Sequence, residues 1–216
     1  MAKTFAVSGQ HYLFDVQAFA HTILSLGGDS FDYALRDRTT KGVLADVASG
    51  ASELGVIVLT SANEAQIGAA LDEAGLVFTP CAQSDPMIAL PASHPLSNAK
   101  ELKLDDLVDW PYLYFEQEDD AAAAFAEEAL FDVERSKRIA CTDRATLSEL
   151  ASAVNGYTVT SGILVGITDG GSLTTIPLVS DVKLRLGYVT KKGSTLSEIG
   201  ERFVANLKRA LERYAL

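Results

Sequence analysis

Short apolar runs alternate along the whole chain with apolar stripes at helical spacing, which predicts strands and helices in turn. Thr4 to Ser8 is a β-rich run, followed at helical spacing by Tyr12, Leu13, Val16, Phe19, Ala20, Ile23, Leu24 and Leu26, with Gly27 and Gly28 as the stop. Phe31, Tyr33 and Leu35 then alternate with Asp32, Ala34 and Arg36 as a second strand. Thr39 or Thr40 caps a helix carrying Val43, Leu44 and Val47 and ending at Gly50. Gly55 to Leu59 is unbroken and apolar, which predicts a strand covered on both faces. Asn63 with Gln66 predicts a capping box for a helix holding Ile67 and Leu71, and Gly75 ends it before strands at Leu76 to Phe78 and Met87 to Leu90. Pro91, Pro95 and Asn98 punctuate the chain near His94, where a passage into a second lobe is expected.

A second α/β series follows. It predicts a short helix near Leu104 to Val108, a strand at Tyr112 to Phe115, an alanine-rich helix from about Asp119 to Leu130 and a strand near Arg138 to Cys141. Leu147, Leu150, Ala151 and Val154 then mark the clearest helix, with Asp143 as cap and Gly156 just past the end. Tyr157 to Val165, Leu173 to Leu178 and Lys183 to Thr190 read as strands, with a turn at Asp169-Gly170-Gly171. A closing helix opens on Thr195 to Glu198 as a capping box and carries Ile199, Phe203, Leu207, Leu211 and Tyr214 as its buried stripe. That stripe needs a sheet to cover, and the first lobe supplies it, so the chain crosses between lobes twice.

Charge narrows the function classes. The 216 residues carry a formal net charge of −11, and DNA affinity rests on clustered Lys and Arg, so this chain by itself is not expected to grip nucleic acid. The excess is local: no basic residue lies between Lys103 and Arg135, a stretch dense in Asp and Glu whose plain reading is a solvated acidic helix face. No apolar run is long enough to cross a bilayer and no leader pattern opens the chain, which reads as cytoplasmic. Cys81 and Cys141 have no metal-ligand spacing and read as plain buried thiols.

Catalytic signatures are absent: there is no nucleophile elbow, phosphate loop, dinucleotide fingerprint or zinc-protease pair. Ser8, His11 and Asp15 do not form a triad, because Asp15 lies one turn beyond His11; Ser8 reads as a helix cap and His11 as an exposed first-turn residue. No enzyme activity, metal or cofactor is expected. Polar residues instead gather where strands end and helices begin, which is where open α/β sheets bind ligands.

Glu53-Leu54-Gly55-Val56-Ile57-Val58 resembles the "E-L-D-L-A-I" segment of LysR-type effector domains, and Met87 to Leu96 resembles that family's strand into "P-x-x-H-P-L". Leu104-Asp105-Asp106-Leu107, Pro111 to Phe115, Ala151 to Thr160 and Leu184 to Thr190 continue the likeness over nearly the whole chain. The resemblance implies an α/β, type-2 periplasmic-binding-protein-like fold: two Rossmann-like lobes with a ligand cleft between them. Lobe I would be residues 1–88 plus 189–216 and lobe II residues 89–188. It implies a small-molecule effector, a homodimer through this domain, and DNA contact only through an N-terminal winged helix-turn-helix outside this chain. Carried over by position, effector contacts fall on Ser8, Gln10, His11, Tyr12, Arg38, Thr39, Thr40, Thr60, Ser61, Gln117, Thr142 and Asp143, with Thr158 and Thr160 in second place. Hydroxyls, Arg38 and helix N-termini suit a small carboxylate, and Tyr12 and Tyr157 suit an aromatic ring. The alternative is a transporter's solute-binding protein using the same cleft.

Overall fold

A computed structural model describes residues 3–26, 30–117, 122–163 and 173–214. Among these the order is β1 (Lys3–Gly9), α1 (Leu13–Leu26), β2 (Phe31–Asp37), α2 (Thr40–Ser49), β3 (Leu54–Thr60), α3 (Glu64–Glu73), β4 (Leu76–Ser84) and β5 (Met87–Pro91). A 3-10 turn at Leu104–Leu107 leads to β6 (Tyr112–Phe115), α4 (Ala122–Phe125), β7 (Arg138–Cys141) and α5 (Arg144–Val154). Next come β8 (Thr158–Thr160), β9 (Leu173–Pro177), β10 (Leu184–Lys191) and α6 (Glu198–Ala210), with a 3-10 turn at Glu212–Tyr214.

The first lobe is a five-stranded sheet in the order β2-β1-β3-β10-β4. Alternate residues of β3 serve its two faces. Leu54, Val56 and Val58 join Phe14, Phe19 and Phe203 of α1 and α6, while Ile57 and Leu59 join Val43, Val47, Ile67 and Leu71 of α2 and α3. Helices on both sides explain why β3 is apolar throughout. Asn206 of α6 donates to the buried Thr22 hydroxyl of α1 at 3.0 Å, so the closing helix is tied to the first one.

In the second lobe β5 is central to a three-stranded sheet, β8-β5-β9, and β6 pairs with β7 in parallel. The Leu113 N–H donates to Tyr157 C=O at 2.8 Å and the Tyr157 N–H to Pro111 C=O at 2.9 Å, which joins the two pieces. Leu113, Phe115, Cys141, Leu147 and Ala151 form a small core beneath α5.

Strand membership moves the expected lobe boundaries at 88 and 189. β4 lies in the first sheet and β5 in the second, so the chain crosses at Asp85-Pro86 and not near His94. His94 is instead a buried turn residue whose Nδ1 accepts the Leu96 N–H at 3.1 Å, with its ring against Trp110. The return lies between Pro177 and Leu184, because β10 pairs with β3 from Leu184 to Val189 and belongs whole to the first sheet.

Local expectations also shift. Asn63 does not cap α3 with its side chain: its Oδ1 accepts the Thr60 N–H at 2.8 Å and its Nδ2 donates to Ala126 C=O. The cap of the closing helix is Ser197, held by the Glu53 carboxylate, and not Thr195. Asn155, at φ 50°, takes the left-handed position expected at Gly156. Gly156 is required for closeness, since a Cβ there would meet the Pro111 carbonyl oxygen at 2.9 Å.

The long alanine-rich helix is replaced by the four residues of α4, followed by irregular chain. Among the described residues the strand after Tyr157 is β8, which ends at Thr160; Leu164 and Val165 lie outside the described residues. The helix stop at Gly27-Gly28, the acidic start at Asp119 and the turn at Asp169-Gly170-Gly171 lie outside the described residues.

Candidate functional site

The end of β1 delivers Gly9, Gln10, His11 and Tyr12 to the seam between the lobes. Gln10 is a clamp: its Oε1 accepts the Val58 N–H of β3 at 2.7 Å and its Nε2 donates to the Thr40 hydroxyl at 2.5 Å. That hydroxyl donates in turn to Phe125 C=O across the seam at 2.7 Å. His11 is not exposed. Its side chain is 5% accessible, stacked on Phe115 of β6 at 3.9 Å between ring centres, with Nδ1 3.1 Å from Glu127. Burial by itself lowers the His11 pKa, but the hydrogen bond and charge of Glu127 outweigh it and leave the ring more basic than usual. The Tyr12 hydroxyl donates to Glu127 C=O at 3.0 Å.

Glu127 and Glu128, 2% and 4% exposed, turn the middle of the acidic stretch inward and overturn its reading as a solvated face. The Glu128 Oε1 accepts the Phe115 N–H at 2.7 Å; among the described residues its buried Oε2 has no partner. Burial and the neighbouring Glu127 raise the Glu128 pKa to about 8. Arg144, the first residue of α5, reaches back across the seam. Its Nη1 donates to Tyr12 C=O at 2.9 Å and its Nη2 to both Asp37 oxygens at 3.1 and 3.0 Å. Asp15, fully buried with neither oxygen hydrogen-bonded among the described residues, lies 4.0 Å from the same guanidinium.

Two cavities open at this seam. One, of about 390 Å³, is mostly apolar, with Leu13, Phe115, Leu147, Val159 and Ile163 on its walls and His11, Tyr12, Glu127, Glu128, Arg144, Ser148, Glu149, Thr158 and Thr160 as its polar points. The other, of about 380 Å³, is lined by His11, Asp37, Arg38, Thr39, Glu116, Gln117 and Thr142. His11 is common to both.

The expected contacts therefore divide. Arg38, Thr39, Gln117 and Thr142 meet His11 around the polar cleft, while Tyr12, Thr158 and Thr160 meet it around the apolar cavity. Ser8 turns away and is buried against Asp46 and Ser52 at 2.6 and 2.8 Å, so it is neither a ligand group nor a helix cap. Gln10 and Thr40 line neither cavity, since both are committed to the clamp. Thr60 closes a turn with Asn63 and faces a smaller cavity of about 260 Å³, and the Ser61 hydroxyl accepts the Lys183 N–H. Asp143 caps α5 through the Thr146 N–H and hydroxyl, bonds that hold its pKa below the usual carboxylate value. Tyr157 is buried with its hydroxyl accepting from Arg135, away from both cavities. The residues that sequence reasoning missed are Glu127, Glu128, Arg144, Asp37 and Phe115. A signal for the acid pair was present in Phe125-Ala126-Glu127-Glu128-Ala129-Leu130-Phe131, where apolar residues flank both sides.

Among the described residues, no helix is long and apolar enough to cross a membrane, and no three His, Cys, Asp or Glu side chains gather as a metal site. Both cysteines are free, Cys141 buried and Cys81 half-buried, and burial raises the pKa of each thiol.

The fold is shared with solved regulatory domains. The effector binding domain of QuiR in complex with shikimate is 12% identical, at TM-score 0.64, with 100% of each chain covered. The reduced OxyR regulatory domain from Pseudomonas aeruginosa is 13% identical, at TM-score 0.66, covering 96% of this chain and 98% of that one. HinK, a LysR family transcriptional regulator from Pseudomonas aeruginosa, is 14% identical, at TM-score 0.63, covering 98% of this chain and 70% of that one. No curated protein matches the sequence. The family described as the LysR substrate binding domain matches residues 31–212, and the chain belongs to that family.

Proposed function

We propose that this domain holds a ring-bearing carboxylate as its effector at the lobe seam, with the ring in the apolar cavity and the carboxylate in the polar cleft. Its occupancy would control transcription by a regulator that contacts DNA through another domain, in the cytoplasm and as a dimer paired through domains of this kind. The observation that carries the reading is the adjacency of two unlike cavities with His11 as a shared wall. An apolar slot with a few polar points is what fixes a small organic ligand. The polar cleft adds Arg38, whose Nε donates to Asp46 at 3.1 Å while the guanidinium stays partly exposed, and the N-terminus of α2, both suited to an anion. The shikimate held by the QuiR domain supports a ring carboxylate as the class. Among the described residues His11 is engaged by Glu127 and not by a hydroxyl or thiol, the pairing that would activate a nucleophile.

The test is calorimetry and thermal unfolding with benzoate, cyclohexanecarboxylate and shikimate. A binder present at 100 times its Kd adds about 2.7 kcal/mol of stability. Arg38→Ala and Thr142→Val are expected to weaken binding at least severalfold. Undiminished binding in both variants, or turnover of the probe, would overturn the proposal.

A further inference from the structure

We infer that the effector carries its carboxylate on a spacer of about two or three methylenes from the ring, because His11 stands as a wall between the apolar cavity and the polar cleft. The inference rests on reading the lobe seam as the effector site. The linings of the two cavities meet at three places. Phe115 lines the apolar cavity, and Glu116, the next residue, lines the polar cleft. Arg144 lines the first and Asp37 the second, and the two are hydrogen-bonded to each other at 3.1 and 3.0 Å. His11 lines both, and it is held in place. Its ring stacks on Phe115 at 3.9 Å, its backbone N–H and Nδ1 lie 3.3 and 3.1 Å from one Glu127 oxygen, and its side chain is 5% accessible.

A ring in the apolar cavity and a carboxylate in the polar cleft therefore meet different sides of His11. A ring centre and a carboxylate oxygen, each at a contact distance of about 3.5 Å on opposite sides of one planar group, stand about 7 Å apart. In an acid whose carboxylate is bonded directly to the ring, bond lengths of about 1.5 Å hold that separation to about 3.6 Å. Each inserted methylene adds about 1.3 Å along an extended chain, so about two or three of them supply the difference. The cleft can still receive the anion: Asp37 is paired with Arg144, and Glu116 is exposed to solvent. Without the imidazole, a directly attached carboxylate would no longer be held on the ring's side of the wall.

Isomeric acids separate spacer length from apolar area, since 3-phenylpropanoate has the formula of 4-ethylbenzoate and 4-phenylbutanoate that of 4-propylbenzoate. Their affinities are measured by calorimetry. In the unaltered domain the spacer isomer of at least one pair is expected to bind roughly tenfold tighter than its counterpart. His11→Ala, which removes the wall, should bring the members of each pair within about threefold of each other. His11→Phe keeps a ring against Phe115 but gives up the Nδ1 bond to Glu127, and it should retain the spacer preference. The comparison in the unaltered domain decides the matter by itself if either variant fails to fold. Equal binding within both pairs overturns the spacer and leaves the effector site standing, and an undiminished preference in His11→Ala overturns the wall as its cause. Absence of binding by every ring acid overturns the effector class and this inference with it.

Discussion

The Arg144 guanidinium, rooted at the start of α5 in the second lobe, hydrogen-bonds both carboxylate oxygens of Asp37, the last residue of β2 in the first. The same side chain reaches the Tyr12 carbonyl and lies near the buried Asp15 carboxyl. One residue thus ties the lobes together beside the apolar cavity and sets a positive charge 4.0 Å from the first lobe's buried acid.

Arg144→Ala is expected to destabilise the domain by about 2 kcal/mol, the scale for hydrogen bonds to charged groups. For a chain of this size that lowers the Tm by roughly 4–8 °C. Asp37→Asn should have a smaller effect, and the double variant should fall short of the sum, because the two residues share one interaction. Strict additivity in urea unfolding would show that the bridge contributes nothing.

Gln10→Ala should cost about 1–3 kcal/mol, because the buried Val58 N–H and Thr40 hydroxyl each lose a partner. Gln10→Glu keeps the acceptor for Val58 and offers Thr40 an oxygen in place of an N–H. Its loss should therefore be relieved at low pH, where the carboxyl can donate. Urea unfolding of both variants at pH 5 and 8 reads this directly.

Three groups make stability depend on pH in one direction. Burial raises the Asp15 pKa well above the usual carboxylate value, with Arg144 opposing and Asp37 reinforcing; Glu128 is raised from 4.5 to about 8; His11 is also raised. In each case the folded form binds its proton more tightly than the unfolded chain. The stability from Glu128 is therefore full below pH 4.5, declines as pH rises, and is exhausted once pH passes about 8. Stability should fall between pH 5 and 9, and Asp15→Asn with Glu128→Gln should flatten the profile. A wild-type curve that rises over that range would contradict the burial described here.

Gly156→Ala should destabilise by about 1–3 kcal/mol, since the added Cβ would press on the Pro111 carbonyl and on Leu113, where β6 meets β8. Gly68→Ala, with open space around the added atom, is the matched control and should be neutral or mildly stabilising. Equal thermal shifts in the two variants would remove this packing argument.

Most of the element order was legible in the sequence because it rests on local periodicity and on punctuation. The spacing from Tyr12 to Leu26, the unbroken run of β3 and the Gly50 stop of α2 are each decided within a few residues of themselves. The errors fell where a distant partner competes with a local rule. Asn63 has the right spacing for a cap, yet its side chain is taken by Thr60 and Ala126; Thr195 yields to Ser197 because Glu53 holds Ser197 from another element.

The candidate site divides in the same way. Sequence by itself determined that polar residues stand at strand ends, which brought Arg38, Thr39, Thr142 and His11 into view, and the family likeness named the kind of ligand site expected there. Which of those side chains face a cavity was decided only by tertiary structure. Ser8 lies near the end of β1 and His11 just past it, but one turns onto Asp46 and Ser52 and the other onto Phe115. The charge of a carboxyl group is equally beyond a one-dimensional reading, because it is set by how much water the folded chain removes. Glu127 and Glu128 count as two negative charges in the composition, yet burial beside each other raises the Glu128 pKa well above that of a carboxyl group in water.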